Sequence, residues 1–150
     1  MKPLIVLLTV FVIAVFTIKI ISHKYDFALS GRIAMSSMLV FTAIGHFIYT
    51  NGMAAMMPGF IPFKTGIVYV TGVIEVAAAT GLHIPGLRVI TAWLLILFFI
   101  LILPANIKAA IEHIDYEKGT FDGKGVNYLW FRVPLQVLFI VWTYMSAIRF

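Results

Sequence analysis

The stretch from Gly66 to Leu82, GIVYVTGVIEVAAATGL, decides the class of fold. It is apolar and long enough to cross a bilayer as a helix, and Glu75 is its single charged residue. A carboxylate at membrane depth costs several kcal/mol unless it faces protein or water and finds a partner. The stretch therefore predicts a membrane helix in which Glu75 is a functional or specificity-giving site.

The composition of the whole chain agrees with this interpretation. Of 150 residues, 62% are hydrophobic and 11% are charged, whereas soluble domains carry about 25% charged residues. We predict a single-domain, all-α integral membrane helical bundle over residues 1–150. The five predicted spans are Pro3–Ser22, Ile33–Tyr49, Gly66–His83, Leu87–Ile107 and Tyr128–Ile148. The first is predicted to be retained rather than cleaved, because no Ala-x-Ala-like site follows it.

Charge and cysteine content exclude several classes of function. The net charge is +5, but the basic residues are scattered over helix ends without a basic block, so nucleic acid is not a predicted partner. The chain has no cysteine, which excludes thiol catalysis, Cys-ligated metals and iron–sulfur clusters. Any redox role would therefore depend on a bound organic cofactor or on a partner protein.

Basic residues near the first predicted loop, Ser22–Arg32, predict the orientation. Lys19, Lys24 and Arg32 cluster there, and positive residues in short loops favour the cytoplasmic side. This places the N-terminus outside and the C-terminus inside. With this orientation five basic residues lie inside and six lie outside, so the total count does not distinguish the two orientations. The prediction therefore depends on the density of basic residues in the first loop.

The second loop, Asn51–Lys64 (NGMAAMMPGFIPFK), is too short to span and too apolar for a solvated loop. Pro58 and Pro62 exclude a continuous helix, so we expect the loop to lie in the interface or against protein. Its three methionines offer an adaptable apolar surface, which could gate the entry of a lipophilic molecule or anchor the loop in lipid. The fourth loop, Glu112–Asn127, is the substantial aqueous segment.

Polar residues on the other predicted spans are candidate partners of Glu75. His46, Asn106 and Gln136 lie in the outer half of the predicted bundle or near its midplane, and the bundle interior is where they avoid lipid. Pro104 is expected to kink the fourth span and to free a carbonyl around Ile100.

Glu75 and His46 form the pair that we favour. A carboxylate and an imidazole in apolar surroundings could share a proton, although Glu75 could also act only as a staple between two helices. Gly72 shares a helix face with both Tyr69 and Glu75, and allows a backbone or a flat ligand to approach closely. The predicted ligand-binding residues are His46, Glu75, Asn106, Tyr69 and Gln136. No catalytic residue and no metal site are assigned, and haem ligation is not favoured because one histidine alone lies within a span.

A series of short motifs resembles the DoxX-like family of small bacterial membrane proteins. The motifs are GHF (Gly45–Phe47), MPGFIP (Met57–Pro62), YVTGVIE (Tyr69–Glu75), GLHIP (Gly81–Pro85), PAN (Pro104–Asn106) and YLWFRVPLQ (Tyr128–Gln136). The resemblance covers residues 31–148 and implies a four-helix core in the bacterial cytoplasmic (inner) membrane, with residues 3–22 as an additional helix. Some relatives look like subunits of a thiosulfate–quinone oxidoreductase and others are associated with oxidative-stress complexes, but no catalytic residue set is implied.

Three functions remain open at the level of sequence. In the first, a quinone or lipid enters past residues 53–63, His46 and Glu75 handle protons, and Asn106 or Gln136 donates to a carbonyl; the protein is then a binding or redox-accessory subunit. In the second, it is a non-enzymatic assembly partner or chaperone for another membrane protein. In the third, it is a small proton-coupled transporter, which at this size requires a homo-oligomer.

Overall fold

The structure, a computed structural model, describes residues 2–150, and these residues are built from helices. The α-helices are α1 (Lys2–Ser22), α2 (Phe27–Ile48), α3 (Thr50–Met56), α4 (Lys64–Gly81), α5 (Arg88–Leu101), α6 (Leu103–Ile111) and α7 (Leu129–Tyr144). A 3₁₀ turn, Val126–Tyr128, leads into α7, and a π-helical turn, Met145–Arg149, continues it. Residues 2–150 contain no β-strand beyond an isolated bridge between Asp115 and Thr120.

Four helical segments are long and apolar enough to cross a membrane: Lys2–Ser22, Phe27–Ile48, Arg88–Ile111 and Val126–Arg149. The prediction of an all-helical chain with several candidate spans is thus confirmed. Helix α4, which carries Glu75, is not among the four, because its polar residues lower its hydropathy. The fifth span stays a prediction.

The connection between α1 and α2 is shorter than predicted. Helix α2 begins at Phe27, because Asp26 caps it: the backbone N–H of Leu29 donates to Asp26 Oδ1 over 2.8 Å. The predicted loop Ser22–Arg32 is therefore wrong, since residues 23–26 alone separate the two helices and Arg32 lies inside α2.

The methionine-rich loop is half helical. Thr50–Met56 forms the short helix α3, and Met57 then turns to an extended conformation immediately before Pro58, as expected for a residue that precedes proline. Lys108 Nζ on α6 donates to the carbonyls of Ala55 (2.9 Å) and Met57 (2.8 Å). This lysine thereby ties the end of α3 to α6.

The predicted break at Pro104 is present. Helix α5 ends at Leu101 and α6 begins at Leu103, with Pro104 in its first turn. Proline is well accepted there, because the first N–H groups of a helix have no acceptor within it. The break divides one long apolar segment into two helices and leaves carbonyls near its centre for other donors.

Contacts at the two ends of the bundle show how the long segments run. At one end, Lys2 Nζ lies 2.8 Å from Glu117 Oε1 in the fourth loop. At the other end, Arg32 Nη1 donates to the carbonyl of Ser146 over 2.9 Å. Helix α2 lies centrally, and its buried face joins a core made by Leu7, Ala34, Met35, Met38, Leu39, Ala78, Ala79, Leu82, Ala92, Leu95, Phe99, Phe139 and Ala147.

Candidate functional site

A cavity of about 260 Å³ opens between α2, α4, the α5–α6 break and α7. Four of the five residues predicted to bind a ligand line it: His46, Glu75, Asn106 and Gln136. They come from four different helices, and they are distant in sequence. The structure therefore brings these polar side chains to one cavity.

His46 and Glu75 are neighbours across the contact between α2 and α4. His46 Nε2 lies 3.4 Å from Glu75 Oε2. Glu75 is 4% exposed, and its Oε2 atom is buried without a hydrogen-bond partner among the described residues. A buried carboxylate oxygen without a donor costs free energy, so this oxygen is available to a donor from a ligand.

Thr71 fixes the histidine ring from the other side. Its hydroxyl lies 3.0 Å from His46 Nδ1 and donates to the carbonyl of Val68 over 2.8 Å, while Nδ1 is also 3.2 Å from that carbonyl. Thr71 precedes Glu75 by four residues, so both side chains lie on the same face of α4. The spacing Thr71-x-x-x-Glu75 is the sequence signal for this arrangement, which the sequence analysis did not use.

The two ring nitrogens of His46 thus have different environments. Nδ1 meets a hydroxyl and a carbonyl, and Nε2 meets the carboxylate. If Nδ1 carries the proton and donates to the carbonyl of Val68, the lone pair of Nε2 faces Glu75 Oε2. Two lone pairs repel each other, so this arrangement is favourable only if a second proton lies between the two atoms. The other tautomer places Nε2–H there directly. Because the 3.4 Å separation lacks hydrogen-bond geometry, Glu75 Oε2 stays open to a donor other than His46.

Gly72 permits this close approach. A Cβ at this position would meet His46 Cβ at 3.0 Å and the ring of Phe47 at 3.3 Å. A side chain here would push α2 and α4 apart next to the pair. The small residue predicted to allow close packing therefore faces His46 itself.

A hydrogen-bond network forms the opposite wall. Asn106 Nδ2 donates to Gln136 Oε1 over 3.1 Å, and Gln136 Nε2 donates to the carbonyl of Phe99. The sequence predicted a free carbonyl around Ile100, and Phe99 is the residue before it. The helix break before Pro104 leaves the carbonyl of Phe99 to a side-chain donor. The amide side chains of Asn106 and Gln136 are thus oriented by protein contacts.

Arg132 is a cavity residue that the sequence analysis did not select. Its Nη1 donates to Asn106 Oδ1 over 3.3 Å, and its guanidinium lies 5.0 Å from the ring centre of Tyr128. Arg132 precedes Gln136 by four residues on α7, a spacing that could have indicated it. No ion pair joins Arg132 to Glu75 within residues 2–150, so a cation and an acid line one cavity without neutralising each other directly.

Tyr69 is the predicted residue that does not line the cavity. It is 44% exposed, and its ring stacks on Phe47 with the centroids 5.8 Å apart. Its position on the outer surface of α4 agrees with the aromatic-belt interpretation that the sequence also allowed.

The rest of the lining is mostly apolar. Met53, Met56 and Met57 close one side, and Phe98, Phe99 and Phe139 close another. Tyr116 from the aqueous loop reaches the same cavity, and burial together with the negative charge of Glu117 raises the pKa of its phenol. Tyr116 therefore supplies a neutral hydroxyl. Apolar walls with a few convergent polar groups are typical of small-molecule sites.

The family to which the chain belongs is a domain of unknown function, DUF8561, whose family model matches residues 35–147. The matched region contains the four polar residues of the cavity together with Thr71 and Arg132. No curated protein matches the chain, and no solved structure matches it.

Proposed function

We propose that this protein binds a lipophilic small molecule, a quinone or a lipid, with its polar head in the cavity between His46, Glu75 and Asn106. The observation that carries the proposal is Glu75 Oε2, a buried carboxylate oxygen that faces a cavity and accepts no hydrogen bond from the described residues. Helix packing alone gives no reason to bury an acid beside an opening, whereas a ligand with a hydroxyl group or an exchangeable proton does.

The size of the cavity limits the ligand. Drug-sized ligands occupy pockets of about 300–1,000 Å³, and this cavity measures about 260 Å³. It can hold a single ring or a compact head group, and a long tail has to leave it. The methionine surface of Met53, Met56 and Met57 gives an apolar tail an adaptable path toward the surrounding lipid.

The polar groups suggest how a quinone head would be held. Arg132 and the amide of Asn106 offer donors for a carbonyl oxygen on one wall, and Glu75 with His46 offers an acceptor and a mobile proton on the other. The chain has no cysteine, so electrons would come from a partner, and the protein would serve as a redox-accessory subunit.

The membrane setting belongs to the same proposal. We place the chain in a bacterial cytoplasmic membrane as a five-span protein of the DoxX-like type, with the N-terminus outside. Helix α4 packs along α2, and its one buried acid is paired inside the bundle, which supports membrane insertion of α4 despite its lower hydropathy.

The test is to extract the protein from its native membrane with its surrounding lipid and to identify the co-purified small molecules by mass spectrometry. Wild-type protein should carry one lipophilic species in excess of its share of the bulk lipid. Ala105→Phe places a ring in the cavity that Ala105 lines and should remove that species.

Ala77→Phe is the matched control, because Ala77 is exposed on α4. It should leave the bound species unchanged. Recovery of bulk phospholipid alone, in the same proportions from all three proteins, would refute the proposal.

The alternative function is a non-enzymatic assembly partner whose intramembrane polar residues are structural. The observation that favours it is the Asn106–Gln136–Phe99 network, in which protein groups bond to one another. This alternative predicts that Ala105→Phe changes stability or association with another membrane protein, and that no specific small molecule is found.

A further inference from the structure

A second polar cluster lies at the other end of the bundle from the cavity. Arg32 is near the start of α2 and His46 is near its end, fourteen residues later, which corresponds to about 21 Å along a helix. The cluster consists of Arg32, Arg88 at the start of α5, and His83 in the turn between α4 and α5. It is therefore independent of the site described above.

Arg88 has no polar partner for its side chain within residues 2–150. Its Nε atom is buried without an acceptor, and the side chain makes no hydrogen bond or ion pair with any described residue. An arginine guanidinium carries five donors in a planar fork, so leaving it without an acceptor is unfavourable. A group from outside the described residues would supply the acceptor that this atom lacks.

The neighbours of Arg88 add positive charge rather than compensating for it. Arg32 and Arg88 repel each other electrostatically. Arg32 Nη1 donates to the carbonyl of Ser146, and Asp26, whose Oδ1 caps α2, attracts Arg32 but forms no ion pair with it. Two arginines thus share one region without an ion pair to an acid in the described chain.

One further group favours an anion at this position. Helix α5 begins at Arg88 without a side-chain cap, and its dipole adds a positive field at this end, although the N–H of Arg88 itself donates to the carbonyl of Ile84 over 2.8 Å. His83 lies nearby but offers no donor. The Ser36 hydroxyl donates to the carbonyl of Ala79 and accepts from His83 Nε2 over 3.0 Å. Burial and the charge of Arg32 lower the pKa of His83, so its ring is neutral at pH 7.

We propose that Arg32, Arg88 and the start of α5 bind a phosphate group, the head-group phosphate of an anionic phospholipid being the occupant that the location favours. Exposed apolar residues surround the cluster, among them Ile84, Leu87 and Val89, so lipid chains can lie beside it. Basic pockets between membrane helices bind anionic head groups by the same combination of charge and apolar contact.

Native mass spectrometry in nanodiscs of equal phosphatidylcholine and phosphatidylglycerol tests this. Wild-type protein should retain phosphatidylglycerol in preference to phosphatidylcholine. Arg88→Gln should lower that preference about fivefold, which is the factor that one arginine near a membrane surface contributes. Arg149→Gln, an exposed cation at the same end, is the control and should lower the preference clearly less than Arg88→Gln does.

Two additional arms keep the result interpretable. Arg88→Gln should melt no lower than wild type in neutral detergent, because it removes a repulsion and an unpaired donor, and Arg88→Lys should keep most of the preference. Inorganic phosphate added to the mixed discs separates the sources: loss of the retained phosphatidylglycerol in excess phosphate would identify a soluble phosphate ligand of the same site, whereas unchanged retention supports the lipid head group. Equal retention of the two lipids by wild type, or equal effects of Arg88→Gln and Arg149→Gln, would overturn the proposal.

Discussion

Glu75 is held in place by its surroundings more than by its own contacts. Thr71 orients His46, Gly72 lets α2 approach, and the carboxylate then faces both the imidazole and a cavity. Breaking a buried ion pair typically costs about 3–5 kcal/mol because the remaining charge is stranded. His46 Nε2 and Glu75 Oε2 are 3.4 Å apart and lack hydrogen-bond geometry, so a ligand can donate a hydrogen bond to Glu75 Oε2.

Gly72→Ala should destabilise the protein by about 1–3 kcal/mol, the usual range for overpacking. The added Cβ would press on His46 Cβ at 3.0 Å and on the ring of Phe47 at 3.3 Å. The measurement is reversible unfolding in mixed micelles followed by circular dichroism. Gly66→Ala, in the same helix with nothing within 4 Å, is the control and should be neutral or stabilising. Equal effects of the two substitutions would show that α2 and α4 are not in close contact at His46.

Much of the site was predictable because charged and amide groups cannot face lipid. That rule selected His46, Glu75, Asn106 and Gln136 without knowledge of the fold. It did not select Arg132, which lies close enough to a helix end to be read as an interfacial residue. Tyr69 was expected on the same helix face as Gly72, yet its ring stacks on Phe47 at the outer surface of α4. An aromatic side chain is as stable against lipid as in the interior of the bundle, so the sequence does not determine its position.

At the scale of elements, side chains at helix ends set boundaries that hydropathy alone cannot. Asp26 extends α2 back to Phe27, and Lys108 holds the carbonyls at the end of α3. The prolines of the second loop were correctly interpreted as helix breakers, but Thr50–Met56 contains no proline and folds as the short helix α3. The Asp26 cap is a local hydrogen bond and the Lys108 bonds join residues far apart in sequence, and hydropathy records neither kind.

Lys108→Met should loosen the end of α3, because the carbonyl of Ala55 loses its lysine donor and that of Met57 keeps the longer bond from Lys64 Nζ, 3.4 Å. Hydrogen–deuterium exchange should accelerate in peptides covering residues 50–63 and remain unchanged in α7. Lys118→Met removes an exposed lysine from the fourth loop and serves as the control. Unchanged exchange in residues 50–63 would mean that Lys108 does not fix this surface.

His83, in the α4–α5 turn, should titrate below its ordinary value of 6.5, because burial and then the charge of Arg32 disfavour its protonated form. The unfolded chain binds the proton first on acidification, so the contribution of His83 to stability is complete above about pH 6.5 and is lost below it. NMR of ¹³C-labelled histidine measures the pKa directly. Arg32→Gln should raise it, and a pKa at or above 6.5 in the wild type would contradict this account.

At the scale of the whole molecule, the chain is a helical bundle with clusters of polar side chains at two separate places. One is the cavity around Glu75, and the other is the arginine cluster at the opposite end. The composition predicted the class correctly. Hydropathy alone does not determine the number of spans, because the polar residues of α4 that line the cavity also make α4 the least apolar of the long helices.

The absence of cysteine allows a direct test of the topology. Gly59 lies between α3 and α4, Gly86 lies between α4 and α5, and a Cβ at either position meets nothing within 4 Å. In five spans with the N-terminus outside, Gly59→Cys should react with a membrane-impermeant maleimide in intact cells. Gly86→Cys should react only after the membrane is permeabilised. Labelling of both from the same side would exclude α4 as a span.

The most direct measurement of the central claim is photolabelling with a short-chain quinone that carries a photoreactive group, with the labelled residues mapped by mass spectrometry. The wild type should be labelled at cavity residues such as Met53, Met56 and Phe98. Glu75→Gln should reduce that labelling roughly ten- to hundredfold, the value of a charge-assisted hydrogen bond, in protein that circular dichroism shows to be folded. Labelling confined to outward-facing residues such as Trp93, or equal in wild type and Glu75→Gln, would contradict the account.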